Sequence, residues 1–408
     1  MARSTTSAWV RSSDIGKGPL ASNDARGFLA AAPALNAVRM ASRCALLLGA
    51  GLSAMLIVPA RTQAAPLANA QTVSPDRPQS GPVANTQRVT AGLQNGVVFT
   101  EYSALSTSSE LVRRLFSPLT ALRVNQEAAR TGKTLRGQPI NLAGESFSSY
   151  VPAHPPPHGY SLLVFVPPWS KAEVPPQWIP ALERHDMILV TPSNSGNEAS
   201  TVDRREPLAL LAAQNAMAQY PVDPQQVYIG GFSGGSRIAL RLALGYPDVF
   251  HGALLNAGSD PIGNADLPLP PVELFHRFQE SMRLVYVTGE RDEPHLIDDI
   301  HSRQSLEKWC VFDVVTESEP RKEHEVADAS AFSRSLDALL SRTQTRLNRL
   351  PDCRARIDAE LTAQLKQVED SFTRGETSAA RRRLDKIDAH YGGLAAPRSV
   401  ELQARPTP

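Results

Sequence analysis

The chain has 408 residues, of which 42% are hydrophobic and 20% are charged, the composition of an ordinary globular protein. Its formal net charge is only +1 at pH 7, so nothing in the composition argues for nucleic acid or an acidic polymer as a partner. The three cysteines form no Cys-x-x-Cys pair and no Cys/His group with the spacing of zinc ligands. A protein of this length contains two or three domains, or one large domain with additions.

An apolar segment near the N-terminus has the form of a secretory signal. Arg43 precedes a run of about fifteen apolar residues at 44–58, and small residues that suit signal cleavage follow. We therefore interpret residues 40–70 as a signal peptide and expect a periplasmic or secreted protein without stable membrane insertion after cleavage. The alternative is an uncleaved anchor, which usually needs about twenty apolar residues.

The segments on either side of this signal show no clear periodicity. Residues 1–39 are polar and rich in Ala and Ser, and we interpret them as an extension without structure. The start of translation is left open between Met1 and Met40. Residues 71–92 contain many Pro, Gln, Ser and Asn residues, which is typical of a linker.

Short apolar runs alternate with helical periodicity between residues 93 and 345. This alternation predicts an α/β domain with a mostly parallel sheet flanked by helices, whose ligands bind beyond the carboxyl ends of the strands. The predicted strands, besides one that precedes Ser233, are 96–102, 140–151, 160–166, 187–190, 252–256, 284–288 and 311–315. The predicted helices, besides one that follows Ser233, are 110–130, 176–185, 206–220, 296–307 and 329–340.

The last part of the chain, residues 351–402, has a different pattern. Apolar residues recur there at spacings of three and four, which predicts two amphipathic helices broken at Gly375 and closed by Gly392-Gly393. A single helical hairpin cannot bury its own apolar face. We therefore expect it to dock on the α/β domain, on a partner protein or on a second copy.

A G-x-S-x-G pattern, Gly231-Phe232-Ser233-Gly234-Gly235, lies between a predicted strand and a predicted helix, as a nucleophile elbow requires. Glycine at both ends of the pattern lets the strand and the helix approach closely. A serine hydroxyl is a weak nucleophile until a neighbouring base activates it. Ser233 is the predicted nucleophile, and an ordinary Gly/Ser turn is the alternative interpretation.

If Ser233 is the nucleophile, a carboxylate and then a histidine should follow it in the chain. Asp292 comes just after a predicted strand, where it can orient an imidazole, and we select it ahead of Glu290. Asp298 and Asp299 on the next helix are less favoured. The alternative is that Asp292 only caps that helix.

His324 is the predicted base, because it lies in a loop between the last predicted strand and the following helix. The other histidines after Asp292 are set aside by their positions. His295 is too near Asp292 in the chain to fold back onto it. His301 lies within a predicted helix, and His390 lies in the hairpin. The alternative for His324 is a solvated loop residue.

An oxyanion hole needs two backbone donors, one of which is expected to be the N–H of Gly234. The second should come from the loop after the strand at 160–166, which begins Pro167-Pro168. Proline has no N–H to donate, so Trp169 and Ser170 are the first available donors, and we select Trp169. The alternative is that Trp169 is a packed aromatic lid.

From about residue 147 to residue 340 the chain resembles the α/β-hydrolase superfamily, and more narrowly the secreted esterase group that contains polyhydroxybutyrate depolymerases and feruloyl esterases. The resemblance implies a triad of Ser233, Asp292 and His324, with no metal and no cofactor. Two positions depart from the pattern: Pro167-Pro168 replaces the usual His-Gly, and Glu323 replaces the usual Gly before the histidine. The resemblance is carried by residues 162–166, 223–235, 246–250, Thr288-Gly289 with Asp292, and His324.

These features together predict an exported serine hydrolase that acts on a small-molecule or polymeric carboxylic ester through an acyl-enzyme. One alternative is a serine peptidase on the same fold, since the same triad serves both reactions. Another is a binding protein that kept the fold without catalysis, with the hairpin as its protein contact.

Cys310 and Cys353 remain after removal of the predicted signal. An oxidising compartment would allow them to pair and to tie the hairpin to the α/β domain. Two unpaired thiols are the alternative, with Cys310 as a small buried apolar residue.

Overall fold

The structure is a computed structural model. It describes residues 90–132, 135, 137–341 and 347–405. The predicted extension at 1–39 and the predicted signal at 40–70 lie outside the described residues, as does most of the linker at 71–92. All described residues belong to one compact unit. Among their helices, none combines the length and the apolar character needed to cross a membrane.

A single sheet of eight strands crosses the described part of the chain. The strands are β1 (Gly92–Val97), β2 (Phe147–Val151), β3 (Tyr160–Val166), β4 (Met187–Pro192), β5 (Val222–Phe232), β6 (Gly252–Asn256), β7 (Arg283–Gly289) and β8 (Val314–Glu319). Their order is β1-β2-β4-β3-β5-β6-β7-β8, in which β2 is antiparallel to both neighbours and every pair from β4 to β8 is parallel. This is the sheet of the α/β-hydrolase fold, so the predicted fold class is confirmed.

Helices cover both faces of the sheet, and a C-terminal hairpin follows them. The α-helices of the described residues are α1 (Ser108–Leu115), α2 (Pro118–Arg130), α3 (Ile179–Arg184), α4 (Glu206–Gln219), α5 (Gly234–Gly245), α6 (Val272–Ser281), α7 (Glu293–Lys308), α8 (Ala329–Leu340), α9 (Leu350–Thr373), α10 (Thr377–Tyr391) and α11 (Arg398–Gln403). Strand β3 shows why two layers are needed. Leu162 and Val164 belong to the core on one face, whereas Leu163 and Phe165 belong to the core on the other.

Several predicted elements have different bounds in the structure. The predicted helix at 110–130 is two helices, because Pro118 begins a new helix at its first position. The predicted strand at 96–102 is β1, which ends at Val97, and the one at 140–151 shortens to β2. The predicted strand at 311–315 begins only at Val314 as β8. Helix α6 was not predicted.

The C-terminal helices dock on the α/β domain of the same chain. The buried apolar residues of α9 and α10 belong to the same core cluster as those of β3 and α5. Polar groups add to this contact. Asp388 on α10 accepts hydrogen bonds from the Ser117 hydroxyl and from the Leu119 N–H at the start of α2. The sequence left open whether the hairpin docks on the α/β domain, on a partner protein or on a second copy. In the structure it docks on the α/β domain.

A disulfide joins Cys310, after α7, to Cys353 on α9. Their Cα atoms are 5.9 Å apart, within the range that a disulfide requires. The structure thus contains the paired form of these cysteines, and the bond links the hairpin covalently to the α/β domain.

Candidate active site

Ser233 lies in a sharp turn between β5 and α5. Its φ is 55°, an unusual value for a residue with a side chain, so the turn holds backbone strain. Gly231 and Gly235 have to be glycine here. A Cβ at Gly231 would lie 2.3 Å from the carbonyl carbon of Gly235, and a Cβ at Gly235 would lie 1.9 Å from the Val166 carbonyl oxygen. The elbow therefore depends on the spacing of these two glycines.

A continuous chain of hydrogen bonds connects Ser233, His324 and Asp292. His324 Nε2 lies 3.0 Å from Ser233 Oγ, and His324 Nδ1 lies 2.7 Å from Asp292 Oδ2. An ionised carboxylate can only accept hydrogen bonds, so Nδ1 carries the proton and Nε2 is free to accept one from the serine. The Asp292 side chain is 3% exposed, whereas that of His324 is 38% exposed. The predicted base thus faces solvent, while the carboxylate that would orient it is shielded.

The loop that carries His324 is positioned by the end of β7. A Cβ at Gly289 would lie 2.5 Å from the carbonyl oxygens of both Lys322 and Glu323, so only glycine allows this close approach. The Arg291 N–H donates to the Lys322 carbonyl at 2.9 Å. This contact sets Asp292 and His324 side by side although they are distant in sequence.

The alternative acids contact other groups. Glu290 accepts hydrogen bonds from the Ser318 hydroxyl and from the Arg321 N–H, and so holds the turn after β8. Asp298 forms an ion pair with Arg237 at 2.8 Å. Asp299 accepts from two hydroxyl groups, and its burial raises the pKa of its carboxyl. None of these contacts includes His324, so Asp292 remains the predicted acid.

The dismissal of His295 as a neighbour of Asp292 was wrong. His295 Nδ1 lies 2.7 Å from Asp292 Oδ1, the carboxylate oxygen that His324 does not use. Asp292 is the residue before the first turn of α7, and that turn brings the residue three positions later back beside it. The two imidazole rings also stack, with centroids 4.1 Å apart and planes 11° from parallel. Two imidazoles therefore share one carboxylate.

The loop after β3 is held by the loop after β4. The Asn197 N–H donates to the Pro168 carbonyl at 2.9 Å, and the buried Arg205 donates to the Pro167 carbonyl at 3.2 Å. Arg205 also donates to the Ser195 carbonyl at 2.9 Å. Burial lowers the pKa of its guanidinium. Arg205 was not predicted, because its two carbonyl partners come together only in the folded chain.

The Asn197 side chain is a second neighbour that the sequence did not reveal. A Cβ at Gly234 would lie 2.2 Å from Asn197 Oδ1 and 3.2 Å from its Nδ2, so the carboxamide lies against the residue that follows the nucleophile. Within the described part of the chain this carboxamide has no hydrogen-bonding partner. The carboxamide thus lies beside Gly234, whose N–H is the predicted first oxyanion donor.

Aromatic rings line one side of the site. Phe232 lies between Trp169 and His324, with ring centroids 6.2 Å and 4.8 Å away respectively. His324 in turn stacks on His295. These rings pack against the imidazole of His324 and give the site an apolar wall beside its polar groups.

One group of side chains in the described residues could hold a metal ion. It comprises Asp292, His295 and His324, whose ligand atoms all lie within 4.8 Å of one another. The absence of a metal, which the resemblance implies, stays a prediction.

Comparison of the sequence with known protein families and with curated proteins finds no match. Among solved structures, a poly(3-hydroxybutyrate) depolymerase from Bordetella parapertussis is 18% identical, with 47% of this chain and 81% of that chain covered and a TM-score of 0.35. An S-formylglutathione hydrolase from Staphylococcus aureus is 12% identical, with 47% and 89% covered and a TM-score of 0.36. A puromycin-hydrolysing peptidase from Mycobacterium tuberculosis is 16% identical, with 49% and 38% covered and a TM-score of 0.34. Likenesses this low carry no argument about activity, and the fold assignment rests on the sheet order.

Proposed function

We propose that this protein is an exported serine hydrolase that cleaves a carboxylic ester. The observation that carries the proposal is the chain of hydrogen bonds from Ser233 through His324 to Asp292. It begins at a strained elbow at the carboxyl end of β5, where ligands of parallel sheets bind. A nucleophile, a base and an orienting carboxylate in this arrangement are the groups that acyl transfer requires.

The proposed reaction has two halves. Ser233 Oγ attacks the acyl carbon as its proton passes to His324 Nε2, and Asp292 stabilises the resulting imidazolium through the Nδ1–H. His324 then gives the proton to the departing alcohol oxygen, which leaves an acyl-enzyme. Water attacks this ester with His324 again as the base, and the acid is released.

Charge on the tetrahedral oxyanion would be stabilised from the end of α5. The Gly234 N–H is the first donor in this proposal, and the Trp169 N–H is the predicted second. The position of Asn197 supports a further donor, because a half-turn of its carboxamide would direct Nδ2 to where Oδ1 lies beside Gly234. A side-chain donor would offset the missing N–H groups of Pro167-Pro168.

Export and substrate class rest on separate observations. The Cys310–Cys353 disulfide supports an oxidising compartment, as the apolar segment at 44–58 does. An ester is preferred to a peptide because residues 223–235 resemble secreted esterases. The triad's connected hydrogen bonds favour an enzyme over a binding protein.

A fluorophosphonate probe and a panel of short-chain and long-chain acyl esters test the proposal. We expect the wild-type protein to be labelled and to hydrolyse at least one ester, and Ser233→Ala to lose both properties with an unchanged thermal unfolding curve. The loss of rate should be about 10⁴- to 10⁶-fold. Cleavage of peptides but not of esters would support the peptidase, and absence of labelling would leave only the binding protein.

A further inference from the structure

A catalytic triad needs one histidine, but two histidines, His295 and His324, contact Asp292. One imidazole is sufficient to activate a serine, and His324 already occupies that position. His295 nevertheless directs its Nδ1 to the other oxygen of Asp292 at the same distance of 2.7 Å. The two rings stack in parallel, and both Nδ1 atoms lie next to the carboxylate.

We propose that Asp292, His295 and His324 form a binding site for a divalent transition-metal cation, represented by Zn²⁺, and that the bound ion reversibly inhibits the enzyme. Two imidazole nitrogens and one carboxylate oxygen are a ligand set that zinc accepts, with a fourth position left for water. The inhibitory part of this proposal rests on the proposed hydrolase function. The binding part rests on the ligand geometry alone.

The three side chains hold their possible ligand atoms within 4.8 Å of one another. Ligand distances of about 2.0–2.2 Å in a tetrahedral site separate a nitrogen and an oxygen ligand by about 3.3 Å. In the structure, each Nδ1 lies 2.7 Å from its carboxylate oxygen. The imidazole that shares the metal-bound oxygen therefore has to withdraw by roughly 0.6 Å. A metal ion lies in the plane of each imidazole that binds it, so the two rings, now 11° from parallel, also have to rotate out of their stack. The side chains of His295 and His324 are 22% and 38% exposed, which leaves room for these rotations toward solvent.

Proton placement explains why the ion would inhibit. A metal binds the nitrogen lone pair, so both Nδ1 atoms must give up the protons that they now donate to Asp292. For His324 the proton then resides on Nε2, the atom that faces Ser233 Oγ at 3.0 Å. A protonated Nε2 cannot accept the serine proton, and the nucleophile stays inactive.

Isothermal titration calorimetry of chelator-stripped protein with ZnCl₂ tests the binding part. The variants are His295→Asn, which keeps a polar side chain but removes the imidazole, and His301→Asn, a matched change of an exposed histidine on the same helix. We expect one ion per wild-type chain and per His301→Asn chain. His295→Asn should bind more than about tenfold more weakly, since even indirect partners of a metal contribute that much affinity. Equal affinities for all three proteins, or no binding to wild type, would overturn the proposal.

Ester hydrolysis and fluorophosphonate labelling, each with and without zinc, test the inhibition. Every variant is compared with its own metal-free rate, so a change in basal activity does not matter. Zinc should suppress both readouts in wild type and in His301→Asn, and EDTA should restore them, whereas His295→Asn should resist. Zinc binding that leaves labelling unchanged would overturn the inhibitory role. A wild-type protein that binds zinc through His295 but hydrolyses no ester when metal-free would instead contradict the proposed function.

Discussion

Two regions of the molecule are held in place by different kinds of interaction. One is the carboxyl end of the sheet, which carries Ser233, and the other is the C-terminal hairpin. At the carboxyl end of the sheet, glycines at 231, 235 and 289 let backbone segments approach one another closely, and the strand ends position a few polar side chains. The hairpin is held by its buried apolar residues, a disulfide, a buried polar contact with α2 and a partly buried one with α6. The two regions therefore depend on different interactions for their positions.

This difference separates chemistry from stability. The side chains of Ser233 and His324 are partly exposed, so replacing them removes few packing contacts. The hairpin residues have no part in the proposed reaction of Ser233. Replacing them opens cavities in the core or leaves buried polar groups without partners. We therefore expect substitutions at the two regions to affect different measurements.

The largest expected effect is at His324. His324→Ala should lower kcat/KM by about 10⁴-fold or more because the base is lost, while the unfolding midpoint changes little. His301→Ala, on the outside of α7, serves as the matched control and should remain close to wild type. If His301→Ala were the inactive variant, the base would be misassigned.

Removal of the disulfide should have the next largest effect, on stability alone. Cys310 and Cys353 are 43 positions apart, and a loop of this size stabilises the folded chain by about 4 kcal/mol on the chain-entropy model. The Cys310→Ser/Cys353→Ser double variant should unfold at lower urea concentration, and each folded molecule should keep its ester activity. A reductant should destabilise wild type but not the double variant. Loss of activity in the folded double variant would contradict the separation of the two regions.

Asn197→Ala tests the proposed oxyanion donor. Loss of one such donor reduces kcat by about 10²- to 10³-fold in a well-studied serine protease, with little effect on substrate binding. We expect a fall in kcat of this order with KM and unfolding nearly unchanged. Asn125→Ala on α2, another exposed asparagine, is the control. An unchanged kcat for Asn197→Ala would leave Trp169 as the second donor.

Much of the fold could be predicted because local pattern and tertiary position agree. Strands β3 and β6 and helix α8 have the predicted bounds, since β3 and β6 are short, fully buried runs of mainly apolar residues and Asp328 caps α8 with its side chain. Strand β8 was misplaced because it is an edge strand whose last four residues are polar, which weakens its apolar signal. Helix α6 was missed between two better-defined strands.

The site was predictable only in part, for a related reason. Ser233, Asp292 and His324 follow an order along the chain that motif and sheet position specify, and the structure brings them together. His295 reaches Asp292 through the first turn of a helix whose start was predicted three residues too late. Asn197 lies beside Gly234 because two loops meet, which no local pattern shows.

The smallest expected effect is at Asp388, the buried carboxylate that joins α10 to α2. Asp388→Ala removes the acceptor for the Leu119 N–H and the Ser117 hydroxyl, which should reduce the free energy of unfolding by about 1–3 kcal/mol with ester activity unchanged. Asp385→Ala on the same helix removes only an exposed ion pair with Arg123, so its effect should stay below about 1 kcal/mol. Equal losses for the two variants would show that burial of Asp388 has no special part in docking the hairpin.

The pH dependence of this contact has a definite sign. Burial raises the pKa of the Asp388 carboxyl, so the folded protein holds a proton that the unfolded chain releases. The contribution of this carboxyl to the free energy of unfolding is present below the unfolded pKa of about 3.9. It declines as the pH rises through the higher folded pKa. Urea unfolding of wild type and Asp388→Ala at a series of pH values from about 4 upward should therefore show a difference that shrinks as the pH rises. A difference that grows with pH would mean that the ionised carboxylate is the form the fold prefers, and that its two donors outweigh its burial.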